Sequence, residues 1–103
     1  MNVPLAPEKS SSEVWRQSFS DIIFPRLAEF KPDFIFVPAG FDAHEGDIIH
    51  CMDTKITEFD YHWVTQNLVA IANTYSEGRL VSVLEGGYNT TAGPLSPLAQ
   101  SIF

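Results

Sequence analysis

Cysteine is almost absent from this chain. A single one, Cys51, stands among 103 residues, which excludes a disulfide framework and a zinc cluster built on thiolates. No apolar run approaches the ~20 residues of a membrane-spanning helix, so a membrane partner is not expected. Basic residues are few, six against thirteen acidic, for a net charge of −7. Such a chain offers no footprint for a phosphate backbone, and direct nucleic-acid binding is not expected. The acidic balance suits a cationic ligand, although most acidic chains owe their charge to solubility alone. Internal repeats, linkers and low-complexity tracts are missing, and so are the G-x-G-x-x-G and Walker phosphate loops. The N-terminus has neither a basic start nor an apolar signal core. From this an intracellular, cytoplasmic protein is expected, or a nuclear one in a eukaryote.

What is present is a packed α/β pattern. At 45% hydrophobic and 13% aromatic the chain has the composition of one small globular unit. Met1 to Lys9, with Pro4 and Pro7, reads as an extended lead-in. Ser10-Ser11-Ser12-Glu13 fits a capping box. It opens a helix to Phe30 with an apolar stripe of Val14, Ser18, Phe19, Ile22, Ile23, Leu27 and Phe30. Pro25 inside the stripe should kink or split that helix, and Pro32 stops it. Phe34–Val37 reads as a buried strand, apolar on both faces as a parallel strand between helical layers is. After an irregular segment, Ile48–Lys55, Thr57-Glu58-Phe59-Asp60 is a second capping box. Its helix carries Phe59, Trp63, Val64, Leu68, Ile71, Ala72 and Tyr75 on the apolar face, with Gly78 as C-terminal cap. Leu80–Leu84 is a second strand, and Pro94 and Pro97 bracket the start of a last helix. Helix, strand, helix, strand, with connections long enough for crossovers, predicts a parallel layer. Two strands would leave two sheet edges unpaired, so residues 1–103 are expected to be one portion of a larger catalytic domain.

In a parallel layer both strands end on the same edge, where open α/β sheets bind their ligands. Two loops follow those strand ends: Pro38-Ala39-Gly40-Phe41-Asp42-Ala43-His44-Glu45-Gly46-Asp47, and Leu84-Glu85-Gly86-Gly87-Tyr88-Asn89. Asp42 and Tyr88 should therefore reach one crevice. Asp42 admits two readings, a hard oxygen ligand for zinc or a carboxylate bonded to its own loop. His44 makes an Asp-x-His ligand spacing with it, or is a loop histidine bonded to a neighbouring backbone group. Asp47, after Gly46, reads as a structural turn carboxylate. His50 and His62 have no partner at a telling spacing and read as surface or structural residues. Tyr88 is either a half-buried turn anchor or a phenol donor able to stabilise a tetrahedral oxyanion.

Ala39-Gly40-Phe41-Asp42-Ala43-His44 with Gly46-Asp47, followed about forty residues later by Leu84-Glu85-Gly86-Gly87-Tyr88-Asn89, resembles the zinc-dependent histone deacetylase family. The similarity is greater to its class II-like branch, which includes acetylpolyamine amidohydrolases. Asn2-Val3-Pro4-Leu5 and Phe30-Lys31-Pro32-Asp33 are similar to flanking segments of the same family. The resemblance implies a parallel-sheet fragment of an arginase–deacetylase-type three-layer fold. It implies that Asp42 is a zinc ligand and that Tyr88 hydrogen-bonds the scissile acetyl carbonyl. It implies that Gly86 and Gly87 border the acetyl pocket, and that Ile49 is an apolar wall of the substrate tunnel. His44 has no ligand role in this resemblance. The implied activity is zinc-dependent hydrolysis of N-acetyl amides, with acetyl-lysine or an acetylpolyamine as substrate. The family's further Asp-x-His zinc pair and its paired-histidine base lie upstream of the matched region and have no counterpart here. Pro38 replaces a common serine, and Ile48 a common proline. The isolated chain is therefore expected to be inactive, with the missing part of its own domain as partner. The alternatives are a non-catalytic remnant or interaction module that keeps the α/β segment, or a generic fragment in which Asp42 and Tyr88 are structural.

Overall fold

A computed structural model of the chain describes residues 1–6, 11–49, 55–91 and 93–103. Pro7 and Ser10 of the lead-in and first cap, His50, Cys51 and most of the irregular segment after Ile48 lie outside the described residues. Along the chain come α1 (Ser12–Ser18), a π-helical turn (Phe19–Ile23), α2 (Phe24–Phe30), β1 (Ile35–Ala39), α3 (Glu58–Tyr75), β2 (Leu80–Leu84) and α4 (Pro97–Ile102). Among the described residues no helix is long and apolar enough to cross a membrane.

The first helical unit starts at Ser11, whose side chain accepts from the Val14 amide at 3.3 Å. Because Ser11 is the cap, the third helical position is Val14. Glu13 stands one residue too early for a reciprocal capping box, and that expectation is corrected. Pro25 acts as anticipated. It has no N–H to give, and the chain absorbs the loss upstream in the π turn, where the Phe24 amide reaches back to Phe19 O. The inserted residue rotates the stripe, so Ile22 and Phe30 end at 41% and 79% exposure instead of facing inward. Lys31 takes a left-handed conformation (φ 52°), and Pro32 ends the helix.

Helix α3 is opened by the expected reciprocal box. Thr57 Oγ1 and the Thr57 amide both meet one oxygen of Asp60, at 3.1 and 2.8 Å. At the other end the Gly78 amide (φ 77°) bonds Ala72 O at 3.0 Å, closing the helix as a glycine cap does. Ser76, fully buried, donates to Pro32 O at 2.6 Å and ties this end to the entrance of β1.

Strands β1 and β2 pair in parallel from Ile35↔Leu80 to Ala39↔Leu84. β1 therefore runs later than Phe34–Val37 and contains Pro38. The Ile35 and Phe41 amides and Ala39 O all face β2 or its extension. Pro38 lies in the alternate phase, so its nitrogen points to the open edge and no ladder bond is lost. Both helical units lie on one sheet face, where Trp15, Phe19, Tyr61 and Leu68 line a cavity together with Val37 and Leu80. The opposite face carries Phe36, Val81 and Val83 at 60%, 43% and 44% exposure. The expectation of a strand covered on both faces is thus corrected for the described residues. Among the described residues the buried apolar core is small, with Ile35, Ile56, Leu68 and Ala72 at its centre.

A polar clamp supplements that core. Asp60, 1% exposed, accepts from Ser12 Oγ at 2.6 Å and from Arg16 Nε at 2.5 Å as well as from Thr57, joining α1 to α3. Burial alone would raise its pKa. The hydrogen bonds from Ser12, Thr57 and Arg16 outweigh burial and hold the carboxyl below its usual 3.8. Removing this acceptor strands four donors, so Asp60→Ala should cost about 3 kcal/mol in denaturant unfolding. The folded-state pKa lies below the unfolded one. The stabilisation is therefore fully present above the usual 3.8 and is lost as pH falls through the lowered value. Melting followed by circular dichroism from pH 7 down to 2 should show this step, and Asp60→Asn should remove it.

Candidate functional site at the carboxyl edge of the sheet

Parallel pairing brings the ends of β1 and β2 to one edge, and backbone bonds carry the contact past the strands. The Glu85 amide bonds Ala39 O and the Phe41 amide bonds Gly86 O, each at 2.9 Å. After Phe41 the chain makes two successive turns, closed by His44 N–H to Phe41 O at 3.2 Å and Asp47 N–H to His44 O at 2.9 Å. These turns deliver Asp42, His44 and Asp47 to different tasks.

Asp42 is half-buried and points across the loop pair. A Cβ added at Gly86 would lie 2.7 Å from its Oδ1, and one at Gly40 would lie 3.0 Å away. Both glycines are thus what allow the carboxylate to sit between the strand ends. It receives no hydrogen bond from the described residues, so it is not spent on its own loop.

His44 is buried at 5% exposure and bridges to Ile56. Its Nδ1 accepts from the Gly46 amide at 2.9 Å, which leaves the proton on Nε2, 3.4 Å from a Glu58 carboxylate oxygen. This is the reading of a loop histidine bonded to a neighbouring backbone group. His62 is exposed on α3.

Asp47 is more than a turn carboxylate. At 3% exposure, it accepts from the Ile49 amide at 2.8 Å with Oδ1. With Oδ2 it accepts from the Tyr88 amide at 2.6 Å and the Asn89 amide at 3.1 Å. The Asn89 side chain returns a bond to Gly46 O at 2.7 Å. The two loops anticipated from the sequence are therefore stapled together. Tyr88 and Ile49 stand at their rim, 49% and 47% exposed.

Gly87 (φ 124°) adopts a conformation closed to other residues, and a Cβ there would lie 2.6 Å from Leu98 Cδ1 and 3.2 Å from Phe41 Cβ. It thereby lets α4 pack directly under the Tyr88 turn. That helix begins at Pro97, capped by Ser96 Oγ accepting the Ala99 amide at 3.2 Å.

Tyr61 is a site-adjacent residue that the apolar list for α3 omitted. Its ring meets Phe41 edge-on at 4.9 Å, supporting the residue before Asp42. The hydroxyl is enclosed beside the Ala43 amide, with no group among the described residues placed to accept its proton. Burial pushes this phenol well above its ordinary pKa, and Asp42, Asp47 and Asp60 add to the effect. A signal was available, because Tyr61 and Leu68 are seven residues apart and share a helix face.

A catalytic zinc takes three protein ligands. Among the described residues no group of three or more His, Cys, Asp or Glu side chains could hold a metal ion. Asp47 and His44 are engaged as above, which leaves the Asp42 carboxylate as the one candidate ligand among these three. The residues present do not make a complete zinc site.

The two positive-φ glycines near this edge separate strain from packing. Gly93 (φ 72°) has open space around its missing Cβ. Gly93→Ala should cost about 1 kcal/mol, and Gly87→Ala, which adds a clash with Leu98 and Phe41, about 2–3 kcal/mol. Denaturant midpoints of the two variants check the order, and equal losses would show that the Leu98 contact is slack.

The chain is similar to known proteins over most of its length. The histone deacetylase domain family matches residues 1–99. A type-2 histone deacetylase 1 of Dictyostelium discoideum is 41% identical over 92 residues, which is 89% of this chain and 6% of that protein. A probable deacetylase of Archaeoglobus fulgidus is 39% identical over 89 residues, 86% of this chain and 24% of that protein. Among solved structures, the HDA15 HD domain superimposes with a TM-score of 0.73 at 29% identity, covering 90% of this chain and 23% of the other. The chain thus spans less than a quarter of the length of these relatives. The likeness bears out the expected arginase–deacetylase α/β fold. With the family match running through both loops, this chain belongs to the histone deacetylase family.

Proposed function

We propose that the chain is one segment of a zinc-dependent deacetylase catalytic domain that hydrolyses N-acetyl amides, acetyl-lysine or an acetylpolyamine. The observation that carries this reading is the Asp42 carboxylate, free of hydrogen bonds from the described residues and seated against Gly86 two residues before Tyr88. The family is generally zinc-dependent, and the chemistry such an ion supplies when bound is Lewis-acid polarisation of the acetyl carbonyl.

This chain's own contribution is a set of positions. Asp42 offers one carboxylate ligand, and the remaining ligands and the general base come from outside the described residues. The Tyr88 phenol, presented at the rim, donates a hydrogen bond to the oxygen on which negative charge develops. Gly86 and Gly87 keep side chains out of the space between them. Ile49, half-exposed and apolar, suits the wall along which an alkyl amine chain lies. The open apolar face of Phe36, Val81 and Val83 is consistent with a further layer of the same domain covering it.

By itself the chain should not turn over an acetyl-lysine peptide, even after metal stripping and zinc add-back, because one ligand does not hold a catalytic zinc. Turnover by the purified chain would overturn that. The full chain placed in the HDA15 HD domain, in exchange for the segment it matches, should give a folded, active deacetylase. In that graft Tyr88→Phe should lower kcat by about 10²–10³-fold, and Asp42→Asn should abolish both zinc retention and turnover. A folded but inactive graft, or wild-type rates in both variants, would sink the reading.

A further inference from the structure

We propose that Asp47 is a positioning residue for the deacetylation reaction, its buried carboxylate aiming the Tyr88 phenol by holding the Tyr88 turn against the Ile49 segment. The inference rests on the reading of Tyr88 as donor to the substrate carbonyl.

Residues 85–91 form no helix or strand, and the turn is entered through two glycines, so no ladder fixes the Tyr88 backbone. The Tyr88 ring is 49% exposed, and its direction is therefore inherited from the backbone more than from packing. What fixes that backbone is Asp47 Oδ2, which takes the Tyr88 and Asn89 amides together. The same carboxylate takes the Ile49 amide on its other oxygen. One rigid, planar group thus sets the spacing between the donor and the apolar wall on the facing loop. Hydrogen bonds to an ionised acceptor are about twice as strong as neutral ones, and this acceptor is shielded from water.

The residue type follows from the geometry. Among the described residues, three backbone donors converge on the two Asp47 oxygens. Asparagine has one acceptor oxygen, so its amide nitrogen would face a backbone N–H on one side or the other. A lengthened side chain in Asp47→Glu would push the turns apart. The Asn89 side chain supplies a second, weaker tie to Gly46, whose own amide is held by His44.

The test uses the graft, with Tyr88→Phe as reference. Asp47→Asn should lower kcat by roughly ten- to a hundredfold, as expected for a misplaced catalytic group, with little change in KM. Hydrogen exchange read by mass spectrometry should show faster exchange in the peptide spanning Gly86 to Thr91. In the Tyr88→Phe background the same change should cost less than about threefold, because there is no longer a phenol to aim. A purely structural role would instead give losses that multiply. If Asp47→Asn does not fold, Asn89→Ala decides the matter, since it loosens the same turn and leaves the carboxylate in place. It should show the same lack of additivity on a smaller scale. Multiplying losses, or an unchanged kcat, in the variant that folds would overturn the proposal. A Tyr88→Phe graft with full activity would instead overturn the role of Tyr88 itself, and this inference with it.

Discussion

Everything at the functional edge depends on β1 and β2 running parallel. A parallel pair cannot be joined by a tight turn, so the chain spends α3 on the crossover and returns both strand ends to the same side. The loops that leave those ends meet without any further device. Their first contacts, Glu85 to Ala39 and Phe41 to Gly86, simply prolong the ladder. An antiparallel pair of the same two strands would have sent Asp42 and Tyr88 to opposite edges.

Beyond the ladder, the cohesion of the site is polar. Asp47 joins loop to loop, Asp60 joins α1 to α3, and Ser76 joins the end of α3 to the start of β1. All three are buried, and each receives or makes bonds with groups far away in the chain. The apolar core among the described residues is small, while Phe36, Val81 and Val83 face outward from the sheet. A unit whose long-range ties are carboxylates and hydroxyls depends heavily on geometry, because a buried acceptor that loses a donor is costly. This is also why the site can be well formed locally while much apolar surface remains open elsewhere.

The elements themselves were legible because their signals are local. β2 is found where its apolar run lies, the Thr57–Asp60 box opens α3, and Gly78 and Pro32 end their helices. Pro25 announced an interruption, although not that a π turn would absorb it. The misses have physical reasons. β1 reaches Ala39 because Pro38 falls in the phase that faces the open edge, and phase depends on the pairing partner. Glu13 missed its box because the cap is Ser11, one of three adjacent serines among which sequence cannot choose. Tyr61 is absent from the apolar positions read for α3, yet the site's loop lies on it, a contact made by a residue twenty positions away in the chain.

The sequence by itself determined the family, the parallel α/β layer and the two loops that meet at its carboxyl edge. Each of these is written in short runs of residues whose types and order are sufficient. Only the tertiary structure decided what the loop residues do to one another. Asp42, His44 and Asp47 sit within six residues, and each admits a structural reading from its type and spacing alone. Folding separates them: Asp42 meets a glycine across the crevice, His44 is closed onto Gly46, and Asp47 grips the amides of Tyr88 and Asn89. Those partners are about forty residues away in sequence in two of the three cases. A hydrogen bond depends on distance and angle in space, and no spacing along the chain encodes them.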